Sequence, residues 1–246
     1  MKTGIQISSL KPLLTTPEQV SAAFERMALL GCRYGQLQWI DPAVPIGHIA
    51  EAMAKNGIAS LGTQDFYAAV LENLDYYVNL NAATGGIWLT VSRIPDRCKS
   101  REGLKVFAGE LTDLRDKLAP LGQRVCFHPV SADYTAVPGT RPVEYLMEKL
   151  PWLELCLDLF HLDKNSEDMP GFIRRYPGRI PMAHFKDHRE GILVPAGQGQ
   201  VRWEGVAQAC RDAGVAYALA EQETWDSDPY QCLADALAWL RGETGF

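Results

Sequence analysis

Apolar positions along the chain switch between two periods. Short, mostly apolar runs, the pattern of strands buried on both faces of a parallel sheet, fall at residues 4–8, 34–40, 58–62, 87–92, 124–130, 153–159, 180–185 and 217–221. Between them apolar residues recur every three or four positions, as on one face of a helix. The first helix carries a full set of start and stop features: Thr16 as cap, Pro17 at the first position, Glu18 in the first turn, then Val20, Ala23, Phe24, Met27 and Leu30 up to Gly31. Further helices are predicted at 46–56, 66–81, 100–121, 142–149, 169–176, 203–213 and 229–241, three of them closed by Gly57, Gly122 and Gly214.

Strands alternating with helices imply a parallel sheet. About eight such units fill 246 residues with no linker or low-complexity break. That predicts an α/β fold, a single (β/α)8 TIM barrel over residues 1–246, because such barrels typically need about 250 residues. No strand leads into a GxGxxG or Walker A loop, and Gly197-Gln198-Gly199 does not open a helix as a dinucleotide fingerprint would.

Composition removes several function classes. The chain is 47% apolar and 22% charged, with a net charge of −6 and no Lys/Arg block. An acidic chain lacks the electrostatic footprint of a nucleic-acid binder. No apolar run approaches the roughly 20 residues of a membrane span, and the first residues, MKTGIQISSL, are too polar for a secretory signal. Cys32, Cys98, Cys126, Cys156, Cys210 and Cys232 form no CxxC pair and read as buried thiols. The expectation is a cytoplasmic protein with a small-molecule substrate, no nucleic-acid or membrane partner, and homo-oligomerisation left open.

In a barrel the chemistry sits at the C-terminal ends of the strands. The late strands end in Phe127-His128-Pro129, Leu157-Asp158-Leu159-Phe160-His161, His184-Phe185-Lys186-Asp187 and Ala220-Glu221-Gln222-Glu223. A buried carboxylate at such a place must be paired or bound to a cation. Asp158, His184 and Glu221 end three consecutive strands, and two carboxylates with one imidazole suit a divalent ion with open positions. Lys186 shares its face with His184 and can point into the same mouth. Gln38, Trp39, Gln64 and Glu223 are candidate substrate contacts, and Trp39, Phe66 and Trp225 offer rings that could stack on a sugar face. The bland reading of Lys186 is a salt bridge with Asp187 or another carboxylate, and the Gly197–Gly199 loop and Trp203 have a structural reading, with the glycines supplying positive φ and Trp203 packing a helix on the barrel.

These segments, with Gly197-Gln198-Gly199-Gln200-Val201-Arg202-Trp203, resemble the xylose isomerase-like TIM-barrel family, the sugar phosphate isomerase/epimerase superfamily. The resemblance covers essentially the whole chain and is strongest from the fifth strand on. It implies metal ligands at Asp158, His184 and Glu221, the family's sixth-strand histidine at His161 and its seventh-strand lysine at Lys186. Many metal-dependent epimerases of this family carry a glutamate at the fifth strand, both ligand and acid/base group. Here that position is His128, and FHPVSADY looks like a weakened copy of a related subgroup's YHNHxxEF, so His128, Asp133 or water could complete the metal site. Gln38 stands where the family often has a glutamate.

The resemblance implies a divalent-metal-dependent sugar or keto-sugar isomerase or epimerase, working by proton abstraction next to a metal-bound carbonyl. Its implied metal set is Asp158, His184, Glu221 and His128, and its implied catalytic set is Glu221, His128, Lys186 and His161. Mn²⁺ is placed first, with Mg²⁺, Co²⁺ or Zn²⁺ as alternatives. A dehydratase or lyase acting on a keto-inositol-like polyol starts with the same abstraction, and a non-catalytic sugar-binding barrel is kept alive by the missing glutamate. An abasic-site endonuclease is disfavoured, because five histidines are few for a multinuclear site.

Overall fold

The computed structural model describes residues 1–135, 137–165 and 168–244. Eight parallel strands close into a barrel: β1 (Lys2–Gln6), β2 (Tyr34–Leu37), β3 (Ala59–Phe66), β4 (Trp88–Ser92), β5 (Arg124–His128), β6 (Glu154–Asp158), β7 (Met182–Phe185) and, after a small hairpin of β8 (Asp187–Arg189) and β9 (Ile192–Val194), β10 (Tyr217–Ala220). β10 lies between β1 and β7 and closes the ring. The surrounding helices are α1 (Pro17–Leu29), α2 (Ile46–Lys55), α3 (Tyr67–Glu72), α4 (Leu74–Thr84), α5 (Arg101–Leu118), α6 (Pro142–Lys149), α7 (Leu159–Asp163), α8 (Met169–Arg174), α9 (Val206–Asp212) and α10 (Pro229–Thr244). Among the described residues no helix is long and apolar enough to cross a membrane.

Alternation along each strand separates two cores. One face turns to the helices and joins the large cluster that includes Phe24, Phe107, Phe127, Phe172 and Phe185. The other faces the barrel axis, where Leu61, Trp88, Cys126, Cys156, Met182 and Leu219 form a separate apolar plug. Two residues further along β5, β6 and β7 the same inward face carries His128, Asp158 and His184. The plug therefore forms the floor of the site. Gly62, at φ 141°, permits the close approach of β3 to β4, since a Cβ there would lie 1.9 Å from the Trp88 carbonyl oxygen. All six cysteines are buried free thiols, as expected from their apolar settings.

Several boundaries depart from the sequence pattern. The first strand covers residues 2–6, not 4–8, because the chain turns into a 3₁₀ helix, Ile7–Leu13, where Ser9 Oγ donates to the Gln6 carbonyl at 2.9 Å. The third strand runs past Gly62 to Phe66: Gln64, Asp65 and Phe66 pair with Thr90, Val91 and Ser92, where the sequence pattern ended the strand at 62 and began a helix at 66. The single helix predicted over 66–81 is two helices broken at Asn73, whose side-chain amide donates to the Ala69 carbonyl at 3.3 Å, a local bond that competes with helix continuation. α7 and the β8–β9 hairpin have no counterpart in the predicted elements.

Candidate active site

Register brings the polar strand ends together. Asp158 pairs directly with His184 across β6 and β7, and His128 ends β5 opposite Ser92. Glu221 follows the last residue of β10, and Lys186 the last residue of β7. His128, Asp158 and His184 are all buried, and one potential ligand atom from each lies within 4.8 Å of the others. Glu221 adjoins this group, with Oε2 3.2 Å from His184 Nδ1.

Neither ring nitrogen of His128 has a hydrogen-bond partner, whereas His184 Nδ1 and Glu221 Oε2 face each other, and Asp158 Oδ2 and Glu221 Oε2 face the Lys186 ammonium. Their other atoms are fixed. Asp158 Oδ1 accepts from the Phe160 and His161 backbone N–H groups at 2.9 and 3.2 Å, capping α7. Glu221 Oε1 accepts from Ser8 Oγ at 3.0 Å. His184 Nε2 donates to Gln36 Oε1 at 2.6 Å; an amide oxygen only accepts, so Nε2 carries a proton and Nδ1 is the ring nitrogen that faces Glu221. The four residues together offer two nitrogen and two oxygen donors, a combination that fits a divalent ion of intermediate hardness.

Lys186 is the cation of the cluster. Its Nζ lies 3.1 Å from Asp158 Oδ2, 3.2 Å from Glu221 Oε2 and 2.7 Å from Glu223 Oε1. Burial works against its charge, but the Asp158, Glu221 and Glu223 carboxylates outweigh burial and hold its pKa well above the usual lysine value. Burial likewise opposes ionisation of Glu221, and Lys186 and His184 outweigh it, keeping that carboxyl well below its usual range. Glu223 moves up, pushed first by burial and then by the Glu221 charge. His128 is pushed down to about 3, by burial first and then by His184, so its ring is neutral near pH 7. Among the described residues Lys186 is the one lysine or arginine that pairs with these three carboxylates.

The remaining candidates fall around this centre. His161 leans on Asp158, Nε2 to Oδ2 3.6 Å, and its Nδ1 shares a 2.8 Å hydrogen bond with Ser131 Oγ. Gln38 and Gln64 join a buried amide chain in which Gln64 Nε2 donates to Gln38 Oε1 at 3.3 Å and Gln36 Nε2 donates to Gln64 Oε1 at 3.1 Å. Trp39 and Phe66 lie 6.3 Å apart, centroid to centroid. Trp225 is tied to the rim by its indole N–H donating to the Ser9 carbonyl at 2.9 Å. Asp133 is not part of the cluster: Oδ1 accepts from Ile94 N and Oδ2 from Val130 N, at 3.1 and 2.9 Å. Both its oxygens are committed to holding the β5 loop, which corrects its candidacy as a ligand.

Sequence reasoning missed Gln6, Ser8 and Gln36. Gln36 Oε1 accepts hydrogen bonds from both His184 Nε2, at 2.6 Å, and Gln6 Nε2, at 3.2 Å, and its own Nε2 donates to Thr90 Oγ1 at 3.1 Å. A detectable clue exists. Gln36 and Gln38 share one face of the second strand, and a glutamine inside a barrel strand requires buried polar partners.

The family model described as xylose isomerase-like TIM barrel matches residues 18–243. No curated protein sequence matches the chain significantly. Among solved structures, a sugar phosphate isomerase/epimerase from Parabacteroides distasonis superposes with a TM-score of 0.81 at 15% identity, covering 99% of this chain and 93% of that one. An L-ribulose 3-epimerase gives a TM-score of 0.82 at 16% identity, over 100% of this chain and 95% of that one. A D-allulose 3-epimerase from Methylomonas sp., in complex with D-allulose, gives 0.80 at 16% identity over 99% and 97%. At these identities the likeness is one of fold.

Proposed function

The chain belongs to the xylose isomerase-like TIM-barrel family, and from that membership we propose that it is a divalent-metal-dependent isomerase or epimerase of a sugar or keto-sugar. The observation that carries this reading is the convergence of buried potential ligand atoms, those of His128, Asp158 and His184 lying within 4.8 Å of one another and Glu221 Oε2 3.2 Å from His184 Nδ1. Those four residues would hold the ion, with Mn²⁺ first and Mg²⁺, Co²⁺ or Zn²⁺ compatible with the same donors. When bound, a divalent ion there supplies polarisation of the substrate carbonyl. The superposed sugar epimerases support a sugar substrate.

The chain's own groups divide the remaining work. Glu221, kept ionised by Lys186, is the carboxylate that accepts the proton from the carbon beside the carbonyl. The Lys186 ammonium, fixed between Asp158 and Glu221, holds a substrate oxygen as negative charge grows on it. His161 and Glu223 stand at the outer edge to orient hydroxyls. His128, neutral, is no substitute for a second carboxylate base. That favours one-base chemistry, so β-elimination from a keto-sugar, which begins with the same proton abstraction, is the second reading.

Deuterium uptake tests the proposal. Protein loaded with Mn²⁺ and incubated in D₂O with a panel of free and glycosylated ketoses is expected to place deuterium on the carbon beside the carbonyl, and to stop doing so after chelation. No incorporation across the panel would sink the reading.

Gln36 is expected to act through His184. Gln36→Leu removes the acceptor that fixes the imidazole proton on Nε2, and loss of such an outer partner typically costs about 10–100-fold in metal affinity. A Mn²⁺ titration of the variant beside wild type measures this, with unchanged affinity as the contrary result.

A further inference from the structure

A cavity of about 430 Å³ opens between the ends of β2 and β3 and helix α4. It far exceeds the roughly 30 Å³ share of one water and falls within the roughly 300–1,000 Å³ range of small-ligand pockets. Gln38 and Gln64 form part of its wall, and Gln64 is linked through Gln36 to His184. The cavity therefore begins two side chains from the imidazole of the reaction centre.

Its walls have carbohydrate-binding chemistry that no step above uses. Thr63, only 1% exposed, lines the cavity with a hydroxyl that has no hydrogen-bond partner, and so does Tyr76, whose phenol oxygen is buried. Two carboxylates face the same space. Asp65 Oδ2 accepts from Tyr77 OH at 2.7 Å, and Asp41 Oδ1 accepts from Ala43 N at 2.8 Å. Burial, then the Asp41 and Asp65 charges, push the Tyr76 phenol upward, so it stays a neutral donor. Trp39 supplies an aromatic wall from a backbone at φ 57°, a left-handed conformation uncommon for so bulky a residue and typical of binding sites. The sole cation on the lining, Lys11, stands 4.4 Å from the Trp39 ring and is outnumbered by the two aspartates. Hydroxyl donors, carboxylate acceptors and an indole suit an uncharged, hydroxyl-rich ring and disfavour a phosphate.

We propose that this cavity is a second sugar subsite, so that the substrate is a ketose carrying a further hydroxyl-rich group, such as a glycosidically linked second sugar. The proposal rests on the sugar-isomerase reading of the adjoining centre. One end of the ligand lies at His128, Asp158 and Lys186. The other fills the cavity, where hydroxyls bond Thr63, Tyr76, Asp41 and Asp65 and one ring face meets Trp39.

Calorimetric titration of the Mn²⁺-loaded protein with fructose, lactulose and isomaltulose tests this. At least one disaccharide is expected to bind tenfold or more tighter than fructose. The Thr63→Val/Tyr76→Phe double variant, close in shape but without both hydroxyls, is expected to reduce that preference at least tenfold. A wild type that binds the disaccharides no tighter than fructose, or binds none of the three, overturns the subsite. So does a double variant whose disaccharide-to-fructose ratio is unaltered. The two readings fail separately: disaccharide preference without deuterium exchange sinks the isomerase reading alone, and exchange into fructose without disaccharide preference sinks the subsite alone.

Discussion

Glu221→Gln is expected to lower kcat/KM at least about 10³-fold on any ketose that the wild type turns over, a loss of about 4 kcal/mol in transition-state stabilisation. The amide matches the carboxylate in shape and can still accept from Ser8 Oγ, which reaches Glu221 Oε1 in the native chain. It cannot take a proton from carbon, and a positioned acid/base group contributes about 10²–10⁴-fold. It also removes one of the three carboxylates around Lys186. Asp158 and Glu223 remain to pair that ammonium, so the fold should persist. Steady-state kinetics with a melting curve separate the two effects. Near-normal turnover by a folded Glu221→Gln variant would remove Glu221 from the chemistry.

Asp187→Ala is expected to have the largest effect on stability. Asp187 is fully buried and its two oxygens organise the whole segment after β7. Oδ1 accepts from His188 N and Val201 N at 2.8 and 3.0 Å. Oδ2 accepts from Gly197 N, Gly199 N and the Trp203 indole N–H at 3.1, 3.0 and 2.9 Å. Gly199 is required for this approach, because a Cβ there would stand 2.1 Å from Asp187 Oδ1. The indole that Asp187 anchors stacks on Phe185 at 5.4 Å, which ties the hairpin to the barrel wall. Alanine strands four backbone donors and one indole donor, each costing about 1–3 kcal/mol when left buried. Relief by local opening limits the total, and a loss of at least about 4 kcal/mol, or about 8–16 °C in Tm for a domain of this size, is expected. Thermal denaturation monitored by circular dichroism measures it, and a shift under 2 °C would contradict this role.

The barrel was legible because parallel strands buried on both faces read as apolar runs and amphipathic helices separate them. Asp158, His184, Glu221 and Lys186 were legible for a related reason: a charge at the end of an apolar strand has few explanations. What escaped was polarity inside strands and chemistry made by loops. Gln6 and Gln36 reach the site only because closure of β1 against β2 and β10 points them at one axis, a nonlocal event with no local pattern. The sequence pattern ends β3 at residue 62 for the same reason. Asn73 broke a helix through one side-chain bond to Ala69, a choice that propensity alone leaves open. The place of Asp187 in the HFKD segment looked ionic, beside Lys186, yet Lys186 turns to other carboxylates and Asp187 binds backbone N–H groups ten to fourteen residues onward. His128 ends β5 and Asp133 lies in the turn that follows, where both Asp133 oxygens are spent on Ile94 and Val130.

The claim at the centre of this account is that His128, Asp158, His184 and Glu221 form one divalent-metal site. Titration of chelator-stripped protein with Mn²⁺, read by electron paramagnetic resonance of the free ion, tests it most directly. The prediction is one ion bound per chain, with a Tm that rises as the site fills, and loss of both effects in Asp158→Ala. Wild-type protein that binds no Mn²⁺, Mg²⁺, Co²⁺ or Zn²⁺, or an Asp158→Ala variant that binds Mn²⁺ as tightly as wild type, would contradict it.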